Sequence, residues 1–378
     1  MTGPLAGVRI IELGGIGPVP FACTMLADHG AEVIRVERPG WGGKFESARK
    51  DVLLRSRRII AVNLKAPEGA ELIRDLTTSA DAIVEGFRPG VTEKLGLGPK
   101  HLLAVQPRLI YGRMTGWGQH GPLSRAAGHD INFIALAGAL GCIGRAGETP
   151  VPPLNLLGDF GGGGMMLAFA IVSALLHARA TGQGQVIDCA VSDGTAMLMG
   201  IVWGLRAQGL WRDERGVNLL DTGEPFYDSY ATADGKYVCI GALEPKFYDE
   251  LRARAGVADD PAFDRENPEN RTRLRGAWRT LFASRTRDDW CALLEGSDAC
   301  FAPVLSMDEA RVHPHNVARG TFIEIDDVVQ PAPAPHYSVT ATAHPTMPSG
   351  ETVTEALMAE LGYSADRREA LRRAGIVT

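Results

Sequence analysis

Two titratable residues stand side by side at the start of an apolar segment. They are His129 and Asp130, in the stretch AGHDINFIALAG of residues 127–138. Apolar residues at helical spacing follow, so the pair lies where a predicted helix begins. One interpretation is structural, with Asp130 as the helix N-cap. The other is proton transfer, because imidazole and carboxylate groups are common general acids and bases.

A second carboxylate, Asp159, stands just before four consecutive glycines, Gly161 to Gly164. Glycine inside a helix costs about 1 kcal/mol relative to alanine. Four together therefore favour a bend and a close approach of the backbone to another element. Near the start of a helix, the macrodipole would favour the charged form of Asp159. The structural alternative is again an N-cap.

A third acid, Glu244, closely follows a predicted strand over residues 237–240 and directly precedes Pro245. The residue before a proline is disfavoured in the helical region. We therefore expect Glu244 to be extended at a junction between a strand and a helix. Taken alone, it is typical of a surface acid.

Strands and helices must position these residues, and they alternate through the first half of the chain. β-branched runs predict strands at residues 8–13, 32–37, 59–64, 81–87 and 108–114, with helices over 21–30 and 68–77. Alternation of this kind is typical of a parallel sheet. We predict the α/β class: a large, Rossmann-like doubly wound domain with a smaller α+β domain.

The loop after the first strand resembles part of a dinucleotide fingerprint. It holds Gly15 and Gly17, but Pro20 stands where the third glycine should be. Glu37, at the end of the second strand, is a candidate contact for a ribose. The missing glycine disfavours a nicotinamide site, and we interpret the glycines mainly as turn residues.

Seven basic residues fall near predicted strand ends or in the loops between strands. Ligands of open α/β sheets bind at the carboxyl ends of strands. The pattern indicates either a ligand with several phosphates or a salt-bridged surface. The residues are Arg38, Arg55, Arg57, Arg58, Lys65, Arg88 and Lys94.

The character of the chain changes after about residue 200. Asp234-Gly235 separates two strand-like runs and predicts a β-hairpin. We predict a large domain over residues 1–200, a connecting helix and linker over 201–224, and a small α+β domain over 225–331. The segment 332–378 has helical spacing and is expected to return to the large domain.

Composition excludes several classes of protein. The formal net charge of −6 gives no case for nucleic acid. The longest apolar run, 165–176, is shorter than the roughly 20 residues of a membrane span, and no signal peptide is predicted. The six cysteines contain no CxxC pair, which disfavours a metal or redox site and suits a reduced cytoplasm. A serine hydrolase is disfavoured because no G-x-S-x-G elbow is present.

Several long motifs occur in a fixed order along nearly the whole chain. They include EVIRVERPG, EGFRPGVTEKLGLGP, RLIYGRMTGWGQHGP, AGHDINFIALAG, PLNLLGDFGGG, GQGQVIDCAVSDG, GALEPKFY and DACFAPVL. Together they resemble the α-methylacyl-CoA racemases of the family III CoA-transferase superfamily. The resemblance runs from the first strand to the C-terminal ELGYS.

The resemblance implies that His129 and Asp159 flank the α-carbon of a 2-methylacyl-CoA thioester. One removes the α-proton and the other returns a proton to the opposite face. Glu244 matches the acid that hydrogen-bonds the histidine. Asp130 matches the residue whose backbone amide lies near the thioester oxygen, where an enolate would form.

The resemblance also implies an acyl-CoA substrate, an interlocked homodimer and no metal or redox cofactor. The nucleotide would lie along Arg38 and the segment Val62, Asn63, Leu64 and Lys65, with Arg88 and Lys94 near the phosphates. Gly128 would lie beside the CoA moiety. In such a dimer, the active site lies between the large domain of one subunit and the small domain of the other, so Glu244 could act across the interface.

Departures from the family pattern concern the acyl end of the substrate. Relatives usually have a stretch like GANMLDGGAP, whereas residues 215–225 include GVNLLDTGEP, with Val217, Leu219, Thr222 and Glu224 as the changes. The change to Thr222 removes freedom at a turn. We expect Glu224 and Lys246 to form a new pair or to line the acyl pocket. The segment 41–51 is expected to be a loop over the nucleotide.

Two other functions remain open at this point. A CoA-transferase of the same fold would use Asp159 as a nucleophile through an acyl anhydride. Transferases of the family generally lack a histidine at position 129, which weighs against this alternative. A non-catalytic CoA-binding protein would not need all three titratable residues.

Overall fold

The computed structural model describes residues 2–40, 48–266 and 270–378, with only the main chain described at Ala48. Most of the loop expected over the nucleotide, residues 41–47, lies outside the described residues. The chain forms two compact units. The first comprises Met1–Ala139, Pro153–Met199 and Phe322–Thr378, and the second comprises Leu140–Pro152 and Gly200–Thr321. Residues 140–152 and 201–224 thus group with the second unit and residues 322–331 with the first.

The first unit is built on a six-stranded sheet in which every pairing is parallel. The strand order is β3-β2-β1-β4-β5-β6, with a switch point between β1 and β4. Doubly wound sheets bind their ligands outside such a point, at the carboxyl ends of the strands. The strands of the described chain are β1 (Arg9–Leu13), β2 (Glu32–Glu37), β3 (Arg57–Ala61), β4 (Ala82–Glu85), β5 (Ile110–Thr115), β6 (Gln185–Ala190), β7 (Tyr227–Ala231), β8 (Tyr237–Gly241), β9 (Phe301–Val304), β10 (Phe322–Ile325) and β11 (Val328–Pro331).

Helices connect the strands and cover both faces of the sheet. Short 3₁₀ turns and one π-helical segment, Leu156–Met165, complete the elements. The α-helices are α1 (Pro18–Asp28), α2 (Pro67–Thr77), α3 (Val91–Lys94), α4 (Pro99–Val105), α5 (Asp130–Leu136), α6 (Met166–Thr181), α7 (Val191–Leu198), α8 (Gly200–Ala207), α9 (Pro245–Arg254), α10 (Arg271–Phe282), α11 (Arg287–Leu294), α12 (Met307–Val312), α13 (Pro314–Arg319), α14 (Thr354–Glu360) and α15 (Ala365–Arg373).

The predicted α/β class with a parallel central sheet is confirmed. Alternation along β1 sends Ile10 to one face of the sheet and Ile11 to the other. Ile10 packs with apolar residues of α1 and α6. Ile11 packs in the opposite core with residues of α2, α4 and the C-terminal helices α14 and α15.

The second unit contains the antiparallel sheet β7-β8-β9. Gly235 adopts φ +73° in the turn between β7 and β8, which is the geometry that the Asp-Gly step predicts. The core of this unit is aromatic, with Trp278, Phe282 and Trp290 fully buried.

One helix in the described chain is long and apolar enough to cross a membrane by length and composition. It joins the π-helical segment to α6 over Leu156–Thr181, so it exceeds the shorter apolar run considered from sequence. Core helices of globular proteins meet the same criterion. Leu167 and Ile171 on one side of it are fully buried against the sheet, whereas Phe169 and Leu176 are exposed.

Candidate active site

A cavity of about 490 Å³ opens at the carboxyl ends of β4 and β5, within the first unit. Two of the predicted catalytic residues, His129 and Asp159, line it together with Gly128. The remaining lining is Ile16, Gly17, Pro18, Val19, Leu53, Gly86, Met114, Thr115, Gly116, Phe133, Asn155, Phe160 and Val191. An imidazole and a carboxylate thus share one largely apolar chamber.

His129 is the N-cap of α5, and Asp130 is the first helical residue. The helix therefore begins one residue earlier than an Asp130 N-cap would require. Asn132 closes the turn: its Oδ1 accepts the His129 N–H over 3.0 Å. Its own N–H donates to the carbonyl of His129 over 2.8 Å. These bonds fix the backbone of the histidine, whose side chain is exposed toward the cavity.

Asp159 lies inside the π-helical segment. The structural alternative, which placed Asp159 at a helix N-cap, is therefore wrong. A π-helix of this length is rare, and such segments are frequent at functional sites. The close approach expected from the glycines is present. A Cβ at Gly194 of α7 would lie 1.9 Å from the carbonyl oxygen of Gly162. Only glycine allows α7 to pack this closely on the turn that carries Asp159.

Burial, followed by the carboxylate of Asp130, raises the pKa of Asp159 above its ordinary value. A side-chain hydrogen bond from Asn155 and the charge of His129 act in the opposite direction. The sequence-based expectation that a helix dipole favours the charged form is therefore wrong in its net direction. The physical reason is desolvation, which outweighs the favourable contacts.

Two further cavities adjoin the first and share lining residues with it. One, of about 430 Å³, is lined by Gly15, Gly17, Glu37 and Arg38 among others. The other, of about 270 Å³, is lined by Arg88 and again by Gly128 and His129. Together they form a continuous cleft along the carboxyl edge of the sheet. Glu37 lines the larger of these two cavities, and its Oε1 pairs with Arg35 over 2.5 Å.

The basic residues divide into two groups. Arg55, Arg57 and Arg58 are held in ion pairs, with Asp28 at 2.5 Å, Glu12 at 2.8 Å and Glu32 at 2.5 Å respectively. For these three the salt-bridge interpretation is correct. Arg57 and Arg58 also begin β3 rather than following it. The other four are exposed, and no carboxylate of the described chain lies within 4.0 Å of them: Arg38, Lys65, Arg88 and Lys94.

Five residues predicted to lie near CoA do not line any of the three cavities in the described part of the chain. They are Val62, Asn63, Leu64, Lys65 and Lys94. The side chain of Val62 is buried in the sheet core, and its main chain bridges Val377. Asn63 donates from its main chain to the carbonyl of Ile376, and its Oδ1 accepts the N–H of Lys65.

Glu244 lies in the second unit as the N-cap of α9, with extended backbone (φ −76°, ψ 144°) and an exposed side chain. This is the conformation predicted from Pro245. Of the two alternatives for Glu224 and Lys246, the pair is not formed within the described chain, and a place in the acyl pocket stays a prediction. Glu224 instead binds Arg271 over 2.5 Å, and the Lys246 ammonium lies 4.5 Å from the ring centroid of Phe247.

Asn155 was not predicted as a site residue, yet it lines the main cavity and its side chain hydrogen-bonds the carboxyl of Asp159. Its spacing, four residues before the acid, is a signal that could have identified it.

Among the described residues, no group of three or more His, Cys, Asp or Glu side chains is placed to hold a metal ion.

A model of CoA-transferase family III matches residues 5–351. The chain belongs to CoA-transferase family III. It is 43% identical over 370 residues to the alpha-methylacyl-CoA racemase of Mus musculus, covering 96% of this chain and 94% of that protein. The predicted resemblance is thereby confirmed.

Family III also contains transferases, and this chain is similar to them at lower identity. It is 33% identical over 343 residues to the succinyl-CoA–D-citramalate CoA-transferase of Chloroflexus aurantiacus, covering 86% of this chain and 84% of that protein. Its fold matches the crystal structure of a CAIB/BAIF family protein from Brucella suis. The TM-score is 0.81 at 27% identity, with 96% of this chain and 100% of the other covered.

Proposed function

We propose that the protein is a racemase that interconverts (R)- and (S)-2-methylacyl-CoA thioesters by 1,1-proton transfer through an enolate. The observation that carries the proposal is that His129 and Asp159 line one cavity at the carboxyl edge of the sheet. The 43% identity to a protein named alpha-methylacyl-CoA racemase over nearly the whole chain supports it. One group removes the α-proton and the other delivers a proton to the opposite face.

The raised pKa of Asp159 suits this chemistry. A carboxyl that keeps its proton more readily than usual can act as an acid in one direction and as a base in the other. A thioester α-proton is weakly acidic, so a base with a pKa near ~6.5 needs help from charge stabilisation on the forming enolate. We assign that role to the backbone N–H of Asp130, at the first residue of α5.

We assign to Glu244 the hydrogen bond that fixes the tautomer of His129, in a homodimer of interlocked subunits. Glu244 is exposed at the end of a loop and available for such a contact. The exposed apolar side chains of Phe169 and Leu176 on the long helix Leu156–Thr181 support a second copy of the chain as the partner of this surface.

The cleft next to the catalytic cavity suits the CoA moiety. Arg38 and Arg88 line its two further parts and have no carboxylate partner in the described chain. Arginine is well matched to phosphate geometry. By resemblance we also assign the nucleotide to the segment of residues 62–65 and to Lys94. We propose that the reaction needs no cofactor, because CoA is part of the substrate, and that the protein works in the cytoplasm without nucleic acid or membrane partners.

A CoA-transferase is the second candidate, because the carboxylate of Asp159 faces the same cavity and transferases are among the relatives. In that reaction the carboxylate would attack the thioester carbon, expel the CoA thiolate and leave a mixed anhydride on Asp159. The presence of His129 in the cavity favours the racemase.

The deciding experiment is incubation of (R)- and (S)-2-methylacyl-CoA, separately, with the protein in D₂O. A racemase will incorporate deuterium at the α-carbon and produce the other enantiomer. A transferase will instead move CoA to an added carboxylate, and hydroxylamine will trap the anhydride on Asp159. Absence of both exchange and inversion across several acyl chains would overturn the racemase proposal.

A further inference from the structure

Asp130 is a buried carboxylate whose side chain the proposed proton transfer does not use. The residue is only 6% exposed. Its Oδ1 accepts the main-chain N–H of Asp159 over 2.6 Å. Its Oδ2 is buried without a hydrogen-bond partner in the described part of the chain. Burying a carboxylate in this way is costly, so a function for it must be sought.

We propose that the side chain of Asp130 is a positioning residue that holds the main chain of Asp159 at a fixed place relative to His129. The inference rests on the proposed racemase function and names a further residue for it. Asp130 follows His129 directly on α5, and it is bonded to the π-helical turn that carries Asp159. One side chain therefore joins the two elements on which the acid and the base are mounted.

The packing leaves little freedom in this link. A Cβ at Gly158, directly before Asp159, would lie 2.3 Å from the Asp130 Oδ1. The carboxylate of Asp130 thus packs directly against the main chain of the turn, and a residue larger than glycine at position 158 would clash with it. Small displacements of catalytic groups are costly, since a shift of about 1 Å can lower a rate by about 10²-fold.

The same carboxylate sets the charge environment of Asp159. After burial, Asp130 is the group that raises the pKa of Asp159, whereas Asn155 and His129 lower it. The elements packed against the π-helical segment carry other charged or titratable groups, but none of these is among the causes of the raised pKa of Asp159. They are Asp28 of α1, paired with Arg55, Cys23 of α1, Asp188 of β6, bonded by the N–H of Gln119, Cys189 of β6, Asp193 of α7, and His177 and Arg179 of α6.

Two substitutions separate positioning from charge. Asp130→Asn keeps an oxygen that can accept the Asp159 N–H but removes the charge. We expect kcat to remain within about tenfold of the parent, while the limb of the pH profile for α-deuterium exchange that reports Asp159 moves to lower pH. Asp130→Ala removes the acceptor as well, and we expect kcat to fall by at least ~100-fold with KM changed far less.

The matched control is Asp193→Asn, which removes one negative charge from another element packed on the same turn. It should leave the pH profile unchanged. A substrate-independent readout is the ¹³C NMR titration of the Asp159 carboxyl, assigned by its loss in Asp159→Asn. In Asp130→Asn this titration should move to lower pH.

The inference is overturned if Asp130→Ala, folded by circular dichroism, keeps kcat within twofold of the parent. It is also overturned if the Asp159 carboxyl titrates at the same pH in Asp130→Asn as in Asp193→Asn. This second measurement tests the inference even if Asp130→Ala does not fold. If the parent protein shows no exchange at all, the racemase proposal fails, and the NMR titration still tests the coupling of Asp130 to Asp159.

Discussion

Arg113 donates from its Nε to the Oε1 of Glu85 over 2.9 Å, directly before the loop of residues 86–89, which contributes to all three parts of the cleft. Glu85 ends β4 and is fully buried, and its Oε2 accepts the N–H of Phe87 over 2.7 Å. Arg113 also binds both carboxylate oxygens of Glu93, at 2.8 and 3.2 Å. The carboxylate of Glu85 thus anchors the start of the loop that carries Arg88.

Glu85→Gln should change the pH dependence of stability. Burial raises the pKa of Glu85 from 4.5 to about 6. The proton on Glu85 therefore stabilises the folded chain fully below pH ~4.5, and this contribution is lost as the pH rises through ~6. A shift of this size corresponds to about 2 kcal/mol. Between pH ~4 and ~7, the free energy of unfolding of the variant, measured in urea, should therefore rise by about 2 kcal/mol relative to that of the parent.

Glu93→Gln provides the control of opposite sign. Although burial opposes it, the guanidinium of Arg113 holds the pKa of Glu93 below its ordinary value. The contribution of Glu93 is therefore present above its unfolded-state pKa and lost as the pH falls. Relative to the parent, this variant should lose stability as the pH rises. If stability relative to the parent changed with pH in the same direction in both variants, the opposite pKa shifts of Glu85 and Glu93 would be contradicted.

His129→Asn and Asp159→Asn should separate exchange from inversion. With two bases on opposite faces of the α-carbon, each variant keeps one base. That base can still exchange the α-proton of the one enantiomer whose proton points toward it. Neither can deliver a proton to the other face, so inversion should fall by about 10²- to 10⁴-fold in both. Mass spectrometry of each enantiomer in D₂O, with chiral analysis, measures the two rates. Exchange of the same enantiomer by both variants would rule out the opposed arrangement.

The sequence predicted the sheet well because its strands are buried on both faces. β2 falls on the predicted residues, and β1 and β4 differ only at their ends. β6 was missed as a strand, since it lies at the edge of the sheet and most of its residues are at least partly exposed. Its run Gln185–Ala190 therefore lacks the continuous apolar character of a central parallel strand.

The candidate site was predicted less completely than the fold. Motifs identified His129 and Asp159, but the π-helical turn could not be foreseen. Its geometry depends on the tertiary contact of Gly162 with Gly194, which no local pattern records. The partners of Arg55 and Arg58 were also hidden, because Asp28 and Glu32 meet them only through the order of the strands.

Thr222→Gly should stabilise the protein. Thr222 adopts φ +75°, in the left-handed region that favours glycine. Its carbonyl accepts from Arg275 over 2.6 Å, which holds the strained turn in place. A non-glycine residue in this conformation destabilises the folded chain by about 1–2 kcal/mol. Substitution by glycine removes that strain, but the greater freedom of glycine in the unfolded chain offsets part of the stabilisation. We expect a net gain of about 0.5–1 kcal/mol by urea unfolding.

The control for this turn is Thr78→Gly, because Thr78 has an ordinary helical φ of −59° at the end of α2. That variant should lose about 0.5–1 kcal/mol. Destabilisation of both variants to the same extent would mean that the backbone of Thr222 carries no strain.

Phe169→Glu and Leu176→Glu should dissociate the proposed homodimer. These side chains are 71% and 72% exposed on the long helix. A carboxylate placed in an apolar interface without a partner is strongly unfavourable, whereas in a monomer exposed to water it costs little. Sedimentation should therefore show a dimer for the parent and a monomer for the double variant, with folding unchanged by circular dichroism. The matched control is Val105→Glu on α4, an exposed apolar residue on another element. A dimer that survives the double variant would place the interface elsewhere, and flotation of the parent with lipid vesicles would indicate a membrane as the partner of this helix.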